Sequence, residues 1–199
     1  MDEIVKKAMA KWPNVPDCYG WLRLDARGGW RMRDEAAQAA DLPGDRIAHE
    51  ALLGFINRNY LQDAAGRWFF QNGPQRVFVD LEAAPLIAHT RADGQLQLHT
   101  GETPTGISGA WFSPAGSLYV QCEAGLALVD DRDLAQCLPQ MRLDGQTIDD
   151  AALLEWVDGV RSGKLAFIHA DAAVTVGRLP DEDVARRFGF VRQPRQAVG

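Results

Sequence analysis

One pattern of apolar residues occurs twice in the sequence. Residues 47–56 read IAHEALLGFI and residues 148–157 read IDDAALLEWV, so the isoleucine, the alanine, the leucine pair and the last two apolar positions align. Both segments place these residues at helical spacing. Because similarity of this length is typical of a duplicated supersecondary unit, the chain is predicted to contain two copies of one motif. The alternative is that unrelated amphipathic helices between strands look alike.

The similarity extends beyond the two helices. Residues 66–70 align with residues 163–167, and the alternating valines after them, at 77 and 79, align with those at 174 and 176. Upstream, residues 24–32 resemble residues 112–120, each around a central glycine. The repeated unit is therefore predicted to contain strands on both sides of its helix.

Tight turns and a short first helix complete the predicted fold. Apolar residues at helical spacing before Pro13 predict an amphipathic N-terminal helix. Because glycine adopts positive φ and aspartate caps a turn locally, such residues between short alternating runs predict hairpins. The predicted turns are Asp25–Gly28, Asp63–Gly66, Asp93–Gly94 and Pro114–Gly116. The predicted class is α+β, with two repeated motifs of antiparallel strands plus one packed helix, and an N-terminal amphipathic helix.

The repeat also predicts how the chain is divided. Residues 1–17 form the N-terminal helix and a linker, and residues 18–104 form the first α+β repeat. Residues 105–191 form the second α+β repeat, and residues 192–199 form a flexible tail.

Charge and composition exclude several classes of function. A net charge of −6 and a sequence pI near 5.2 create no field that would attract phosphate backbones, so nucleic acid is not an expected partner. The N-terminus carries acids where a signal peptide needs bases, and no apolar run is long enough to cross a membrane. Three cysteines without a CxxC pair fit reduced thiols. We therefore predict a cytoplasmic protein without a membrane partner.

Functional residues are expected where one copy carries polar groups that the other lacks. Arg76, Phe78 and Asp80 in the first copy correspond to alanine, threonine and glycine in the second. The end of the first helix likewise carries amides and a ring that are missing from the second. We predict no catalytic residue but a ligand-binding surface in the first copy. Its residues are Asn57, Arg58, Tyr60, Trp68, Asn72, Arg76, Phe78, Asp80 and Glu82.

Two carboxylates on that surface allow a catalytic alternative. Asp80 and Glu82 lie two residues apart on one strand, which separates their Cβ atoms by about 6–7 Å. This spacing overlaps the carboxylate separations used in glycoside hydrolysis. A small hydrolase with an Asp/Glu pair is therefore one alternative, and a solvated strand face neutralised by Arg76 is another. Because the sequence has no phosphate-binding glycine loop and no GxSxG motif, a non-catalytic role is favoured.

Histidines and aspartates elsewhere do not predict a metal centre. The acidic run 130–133 follows an apolar strand, where aspartate caps the start of a helix. His89 and His99 lie on the two arms of one predicted hairpin, and they share a face only if its loop has three residues. Two ligands still fall short of a zinc site. Neither a metal nor another cofactor is predicted.

The order of turns and aromatic residues resembles that of a bacterial family. The pattern consists of Trp21-x-x-x-Asp25-x-x-Gly28-x-Trp30, the helix Leu52-Leu53-x-Phe55, Asp63-x-x-Gly66-Arg67-Trp68 and Val77-x-Val79-x-Leu81-Glu82-x-x-Pro85. It resembles the uncharacterised family catalogued as domain of unknown function 1285, and a sister family of uncharacterised proteobacterial proteins fits equally well. The resemblance implies an α+β fold of repeated motifs and a role in signal transduction.

These features together predict a ligand-binding or protein-interaction module rather than an enzyme. Its expected partner is a small-molecule ligand or another protein, bound at the first-copy surface or at the junction between the copies. A homodimer in which that surface is buried against its twin is a further possibility.

Overall fold

The structure is a computed structural model that describes residues 1–196. These residues form two compact units, which we call unit 1 (residues 1–85 with 189–196) and unit 2 (residues 86–188). Each unit combines a β-sheet with helices, so the predicted α+β class is confirmed. Among the described residues, no helix has the length and apolar character needed to cross a membrane.

Unit 1 is built on a six-stranded sheet, counted over residues 1–196, with the strand order β3-β2-β1-β6-β5-β4. Most neighbouring strands are antiparallel, but β1 and β6 run parallel. Its elements are α1 (Glu3–Lys11), β1 (Cys18–Leu24), β2 (Trp30–Met32), α2 (Glu35–Ala39), β3 (Asp45–Arg46), α3 (Glu50–Arg58), β4 (Tyr60–Gln62), β5 (Trp68–Asn72) and β6 (Gln75–Leu81).

Unit 2 has nine strands within the described part of the chain, in the order β13-β12-β14-β15-β9-β10-β11-β7-β8. Two 3-10 turns, Asp131–Asp133 and Leu138–Gln140, flank α4. Its elements are β7 (Leu86–Thr90), β8 (Leu96–Leu98), β9 (Ile107–Phe112), β10 (Leu118–Cys122), β11 (Gly125–Val129), α4 (Leu134–Cys137), β12 (Met141–Leu143), β13 (Gln146–Thr147), α5 (Asp150–Val157), β14 (Leu165–His169), β15 (Ala172–Arg178) and α6 (Asp181–Phe188).

The four predicted turns all join antiparallel strands. Each turn is closed by the same two backbone hydrogen bonds, as in the first, where Asp25 N–H donates to Gly29 O and Gly28 N–H donates to Asp25 O. The glycine that ends each turn has a φ of 77° to 84°. This left-handed backbone is costly for residues with a Cβ atom, which explains why glycine recurs there.

Side-chain caps fix the starts of the two repeated helices. His49 Nδ1 accepts a hydrogen bond from Leu52 N–H at the start of α3, and Asp149 Oδ1 accepts one from Ala152 N–H at the start of α5. These bonds satisfy backbone donors that a helix leaves unpaired in its first turn. Both predicted helices are present, and their caps account for where they begin.

The two units have part of their strand topology in common. In unit 1 the parallel pair β1 and β6 aligns Leu22 with Val79, and in unit 2 the parallel pair β9 and β15 aligns Ala110 with Val176. Each first strand also pairs with the next strand through a hairpin. One difference concerns the strand beyond this region. In unit 1, β4 pairs with β5 and follows helix α3 in the chain. In unit 2, β12 pairs with β14 and precedes helix α5. The descent of both units from one duplicated motif remains a prediction.

The unit boundary differs from the one that the repeat spacing predicted. Unit 2 begins at Leu86 rather than at residue 105, because β7 pairs with β11. Part of the predicted flexible tail is also packed, since Arg192 O accepts a hydrogen bond from Leu81 N–H. Residues 197–199 of that tail lie outside the described residues. The short helix α2 in the segment between β2 and β3 was not predicted.

The N-terminal helix is held by its first residues rather than by its whole predicted apolar face. Val5 is buried, but Ile4 and Trp12 are 72% and 51% exposed. Asp2 N–H donates to Asn59 Oδ1 at 2.8 Å, and the Asp2 carboxylate accepts hydrogen bonds from Arg58. These contacts attach the start of α1 to the end of α3.

Candidate functional site

Three of the nine predicted site residues lie on strand β6 and a fourth, Glu82, directly follows it; two of these four are buried. Phe78 is 1% exposed and Asp80 is 2% exposed, whereas Arg76 and Glu82 are exposed. The ring of Tyr19 stacks on Phe78 with a centroid distance of 4.7 Å. The solvated face expected from the strand pattern is therefore covered at its centre.

Asp80 is buried as part of an ion-pair network. Its Oδ2 atom lies 2.7 Å from Arg33 Nη1, and its Oδ1 atom lies 2.8 Å from Arg195 Nη1. Arg33 is itself 2% exposed and also contacts Asp41 at 3.0 Å. Because a buried carboxylate needs compensating charge, the two guanidinium groups explain how Asp80 is accommodated.

A polar cavity of about 320 Å³ lies beside this network. Asp80 contributes to its wall but Glu82 does not, and Glu82 instead lies 3.6 Å from Arg23. The two carboxylates of the hydrolase alternative therefore do not face one cavity. The wall consists of Tyr19, Gly20, Arg33, Gln38, Asp80, Arg195 and Gln196.

Tyr60 and Trp68 belong to an aromatic core. The Tyr60 ring lies 4.8 Å from Trp68 and 5.0 Å from Trp30, measured between centroids. Tyr60 donates its hydroxyl hydrogen to Pro85 O at 3.0 Å, and burial raises the pKa of this phenol well above its usual value. Trp68 Nε1 has no acceptor among residues 1–196. Both rings are placed for packing rather than for contact with a ligand from solvent.

Asn57 and Arg58 form bonds within unit 1. Asn57 Oδ1 accepts a hydrogen bond from Trp30 Nε1 at 2.7 Å. Arg58 pairs with Asp2, and hydrogen bonds from Arg58 are the main reason that the pKa of the Asp2 carboxyl is lowered. These two predicted site residues do not line the polar cavity beside Asp80.

The remaining predicted residues, Asn72 and Arg76, lie at one end of the β5–β6 hairpin. The guanidinium carbon of Arg76 lies 5.1 Å from the centroid of the Phe69 ring, on the solvent side. Asn72 is exposed at the end of β5 and contributes to a second cavity. The nine predicted residues thus do not converge on a single pocket.

The second cavity is mostly apolar and lies between α3 and the sheet of unit 1. Its volume is about 250 Å³, and no charged side chain contributes to its wall. Three of its side chains, Trp21, Met32 and Leu52, are 37–46% exposed. The wall residues are Cys18, Trp21, Leu22, Met32, Ile47, Leu52, Ile56, Phe70, Asn72 and Val77. We call this space the α3 cavity.

An irregularity in β1 contributes to the shape of the α3 cavity. Trp21 and Leu22 both line it, although neighbouring residues of a regular strand point to opposite faces. The register between β1 and β6 shifts between Cys18 and Leu22, and Gly20 within that stretch has a φ of 80°. A Cβ atom at Gly20 would also lie 2.4 Å from Gln38 Oε1. Glycine at this position therefore permits the bulge that brings both side chains to the cavity.

Cys18, at the edge of the α3 cavity, is expected to react slowly with alkylating reagents at neutral pH. Burial raises the pKa of its thiol above the usual value for cysteine, so the reactive thiolate is scarce at pH 7.5. Iodoacetamide should modify it roughly tenfold more slowly than a free cysteine, and the rate should increase with rising pH. Peptide mass mapping distinguishes it from Cys122 and Cys137, which are buried. A rate at pH 7.5 equal to that of free cysteine would contradict the assignment.

Most of the α3 cavity was missed by sequence reasoning. Leu52 and Ile56 were assigned to the apolar side of a packed helix, and of these only Ile56 is buried. Leucine and tryptophan are the residue types of an ordinary core, and nothing in their spacing separates a filled interior from a partly empty one. Asn72 is the single residue that belongs to both the predicted site and this cavity.

Unit 2 brings together three residues that can bind a metal. Asp130 caps the 3-10 turn, as predicted, since its side chain accepts a hydrogen bond from Arg132 N–H. His89 does not meet His99, whose Nδ1 accepts from Ile87 N–H. Instead His89 lies beside Asp130 and Asp133. The sequence did not predict this cluster, because it depends on the parallel pairing of β7 with β11.

The fold and the cavities define a two-unit α+β protein with an apolar ligand-sized cavity in its first unit. The chain belongs to the family DUF2944, described as "Protein of unknown function (DUF2946)", whose sequence profile matches residues 1–195. A search of curated proteins finds no match.

One solved structure shows a similar fold over most of the chain. A DUF1285 family protein from Silicibacter pomeroyi DSS-3, determined at 2.50 Å, covers 94% of this chain and is itself covered completely, with a TM-score of 0.52 and 15% identity. A DUF1285 family protein from Shewanella baltica OS155, at 1.40 Å, covers 56% of this chain and 85% of its own length, with a TM-score of 0.40 and 15% identity. The likeness to the first protein confirms the resemblance seen in the sequence, and it extends to the fold alone.

Proposed function

We propose that unit 1 is a ligand-binding module that takes a small, uncharged, mostly apolar molecule into the α3 cavity. The observation that carries this proposal is a half-open space of about 250 Å³ with apolar walls. Small-molecule sites are usually concave and apolar, with a few polar groups that orient the ligand. Here the Asn72 amide is the polar group best placed to do so.

The size and chemistry of the wall favour a bicyclic aromatic molecule. An apolar cavity of about 150 Å³ in another protein holds benzene, and the α3 cavity is larger. The aromatic faces of Trp21 and Phe70 suit stacking or edge contacts with a planar ring. A charged ligand is disfavoured because no side chain in the wall carries the opposite charge.

A signalling role extends this proposal. Leu52 and Ile56 of α3 contribute to the wall, so an occupied cavity changes the packing of that helix. A change in helix packing on ligand binding is one way in which a sensor transmits occupancy. We propose a cytoplasmic setting because Cys18, Cys122 and Cys137 are free thiols. A protein partner and a homodimer remain predictions.

The ligand-binding proposal is tested with indole as the probe. We expect a Kd on the order of 0.1–1 mM in calorimetry, which is reasonable for so small a ligand. Indole should also slow the alkylation of Cys18, because that thiol lies in the cavity wall. Leu52→Trp should weaken binding at least about tenfold, since the larger ring fills the space.

The matched control introduces a tryptophan on the other repeated helix, α5. Leu154 on α5 is 60% exposed and lies outside the α3 cavity, so Leu154→Trp should bind indole as the wild type does. Equal affinities in all three proteins, or no protection of Cys18, would show that indole does not enter the α3 cavity.

A further inference from the structure

We propose that unit 2 binds one divalent transition-metal ion, such as Zn²⁺, through His89, Asp130 and Asp133. The donor atoms are His89 Nδ1, Asp130 Oδ2 and Asp133 Oδ2. The histidine nitrogen lies 3.3 Å and 3.4 Å from the two carboxylate oxygens, and all three atoms are within 4.8 Å of one another. With tetrahedral geometry and metal–ligand bonds of about 2.0–2.2 Å, adjacent donors are about 3.3–3.6 Å apart.

The backbone holds two of these donors on neighbouring strands. His89 belongs to β7, and Asp130 directly follows β11, which runs parallel to β7. The last aligned pair is Ala88 with Val129, and Asp130 N–H then donates to Ala88 O at 2.9 Å. His89 and Asp130 therefore occupy the next pair of positions along the two strands, near the carboxyl end of each. A site carried by strand ends is more rigid than one carried by loops.

The third donor is fixed by the 3-10 turn. Asp133 N–H donates to Asp130 O at 2.9 Å, and Asp133 Oδ2 accepts a hydrogen bond from Thr90 N–H at 3.0 Å. This bond orients the carboxylate toward the end of β7, where His89 lies. Backbone donors to ligating carboxylates are a common feature around metal sites.

Charge and exposure suit a dication. Two carboxylates close together, one of them fully buried, are stabilised by a positive charge between them. The imidazole nitrogen favours Zn²⁺ and related ions over Mg²⁺ and Ca²⁺, which prefer oxygen ligands only. His89 is 35% exposed, so water can reach the ion. Three protein ligands and a water position describe an open metal site.

Arg132 competes with the ion. Its guanidinium donates to both oxygens of Asp130, including Oδ2, while its backbone N–H donates to Oδ1. The Arg132 side chain is 61% exposed, so it can turn into solvent when a metal takes its place. The backbone hydrogen bond to Oδ1 is kept in that exchange. This competition provides a test that a nonspecific acidic surface would not pass.

The experiment titrates Zn²⁺ into the untagged full-length protein by calorimetry, with Co²⁺ absorption as a second readout. We expect one equivalent to bind, and His89→Gln and Asp133→Asn each to weaken binding at least about tenfold. Arg132→Gln should tighten binding several-fold because the competing guanidinium is gone. The visible Co²⁺ bands should be lost in His89→Gln.

Asp158→Asn is the matched control, since it alters an exposed carboxylate of unit 2 that is not one of the three donors. It should bind Zn²⁺ within about twofold of the wild type. Thermal unfolding checks that each variant is folded. Absence of stoichiometric binding to the wild type, or affinities unchanged in His89→Gln and Asp133→Asn, would overturn the proposal. A loss in the control equal to that in Asp133→Asn would do the same.

Discussion

Asp80→Ala is expected to lower the free energy of unfolding by about 3 kcal/mol. Removing one member of a buried ion pair typically costs about 3–5 kcal/mol, because the other charge is left without its partner. The lower end applies here because Arg33 keeps its contact with Asp41. Urea unfolding followed by tryptophan fluorescence and circular dichroism measures the change.

Glu82→Ala is the matched control for this prediction. Glu82 lies on the same stretch of chain, but it is exposed. Its ion pair with Arg23 is long, at 3.6 Å, so losing it should cost less than about 1 kcal/mol. The double variant Asp80→Leu with Arg33→Met should recover part of the loss, since no buried charge remains. An Asp80→Ala protein as stable as the wild type would show that the ion pairs of Asp80 with Arg33 and Arg195 do not stabilise the fold.

Trp68→Ala is expected to destabilise the protein by about 3–5 kcal/mol, the usual cost of removing a buried aromatic ring. Trp68 is 6% exposed and packs on Tyr60. Trp68→Phe should cost far less, about 1–2 kcal/mol, because Nε1 has no acceptor in the described part of the chain and no hydrogen bond is lost. Denaturant unfolding of the two variants measures the difference.

Indole binding separates packing from function at Trp68. If Trp68 belongs to the core, Trp68→Phe keeps the affinity of the α3 cavity, because Trp68 is not among its wall residues. A Trp68→Ala protein with wild-type stability but no indole binding would support the surface first predicted from the sequence.

Local chemistry made much of the fold predictable. The four turns and the two repeated helices follow from interactions within a few residues, such as the Asp63 carboxylate that accepts hydrogen bonds from Ala65 and Arg67 N–H. The parallel pairs of strands and the helix α2 were not predictable in this way. Parallel pairing depends on contacts between distant segments, which the spacing of apolar residues does not reveal.

The predicted site illustrates why comparing the two copies can mislead. Asp80 was singled out because the second copy has Gly177 instead. The structure supplies a packing reason for each: Asp80 pairs with Arg195, 115 residues away, while a Cβ atom at Gly177 would lie 2.8 Å from the Trp111 ring. The difference between the two copies at this position therefore reflects which side chains pack on each sheet. Only the position of Asn72 connects the prediction to the α3 cavity.

A crystal soaked with 5-bromoindole tests the central claim most directly, because anomalous scattering locates the bromine. Ligand binding in the α3 cavity predicts one peak between Trp21, Leu52 and Phe70, which disappears in crystals of Leu52→Trp. A peak beside Asp80 and Arg195 instead, or no peak in unit 1, would contradict the account.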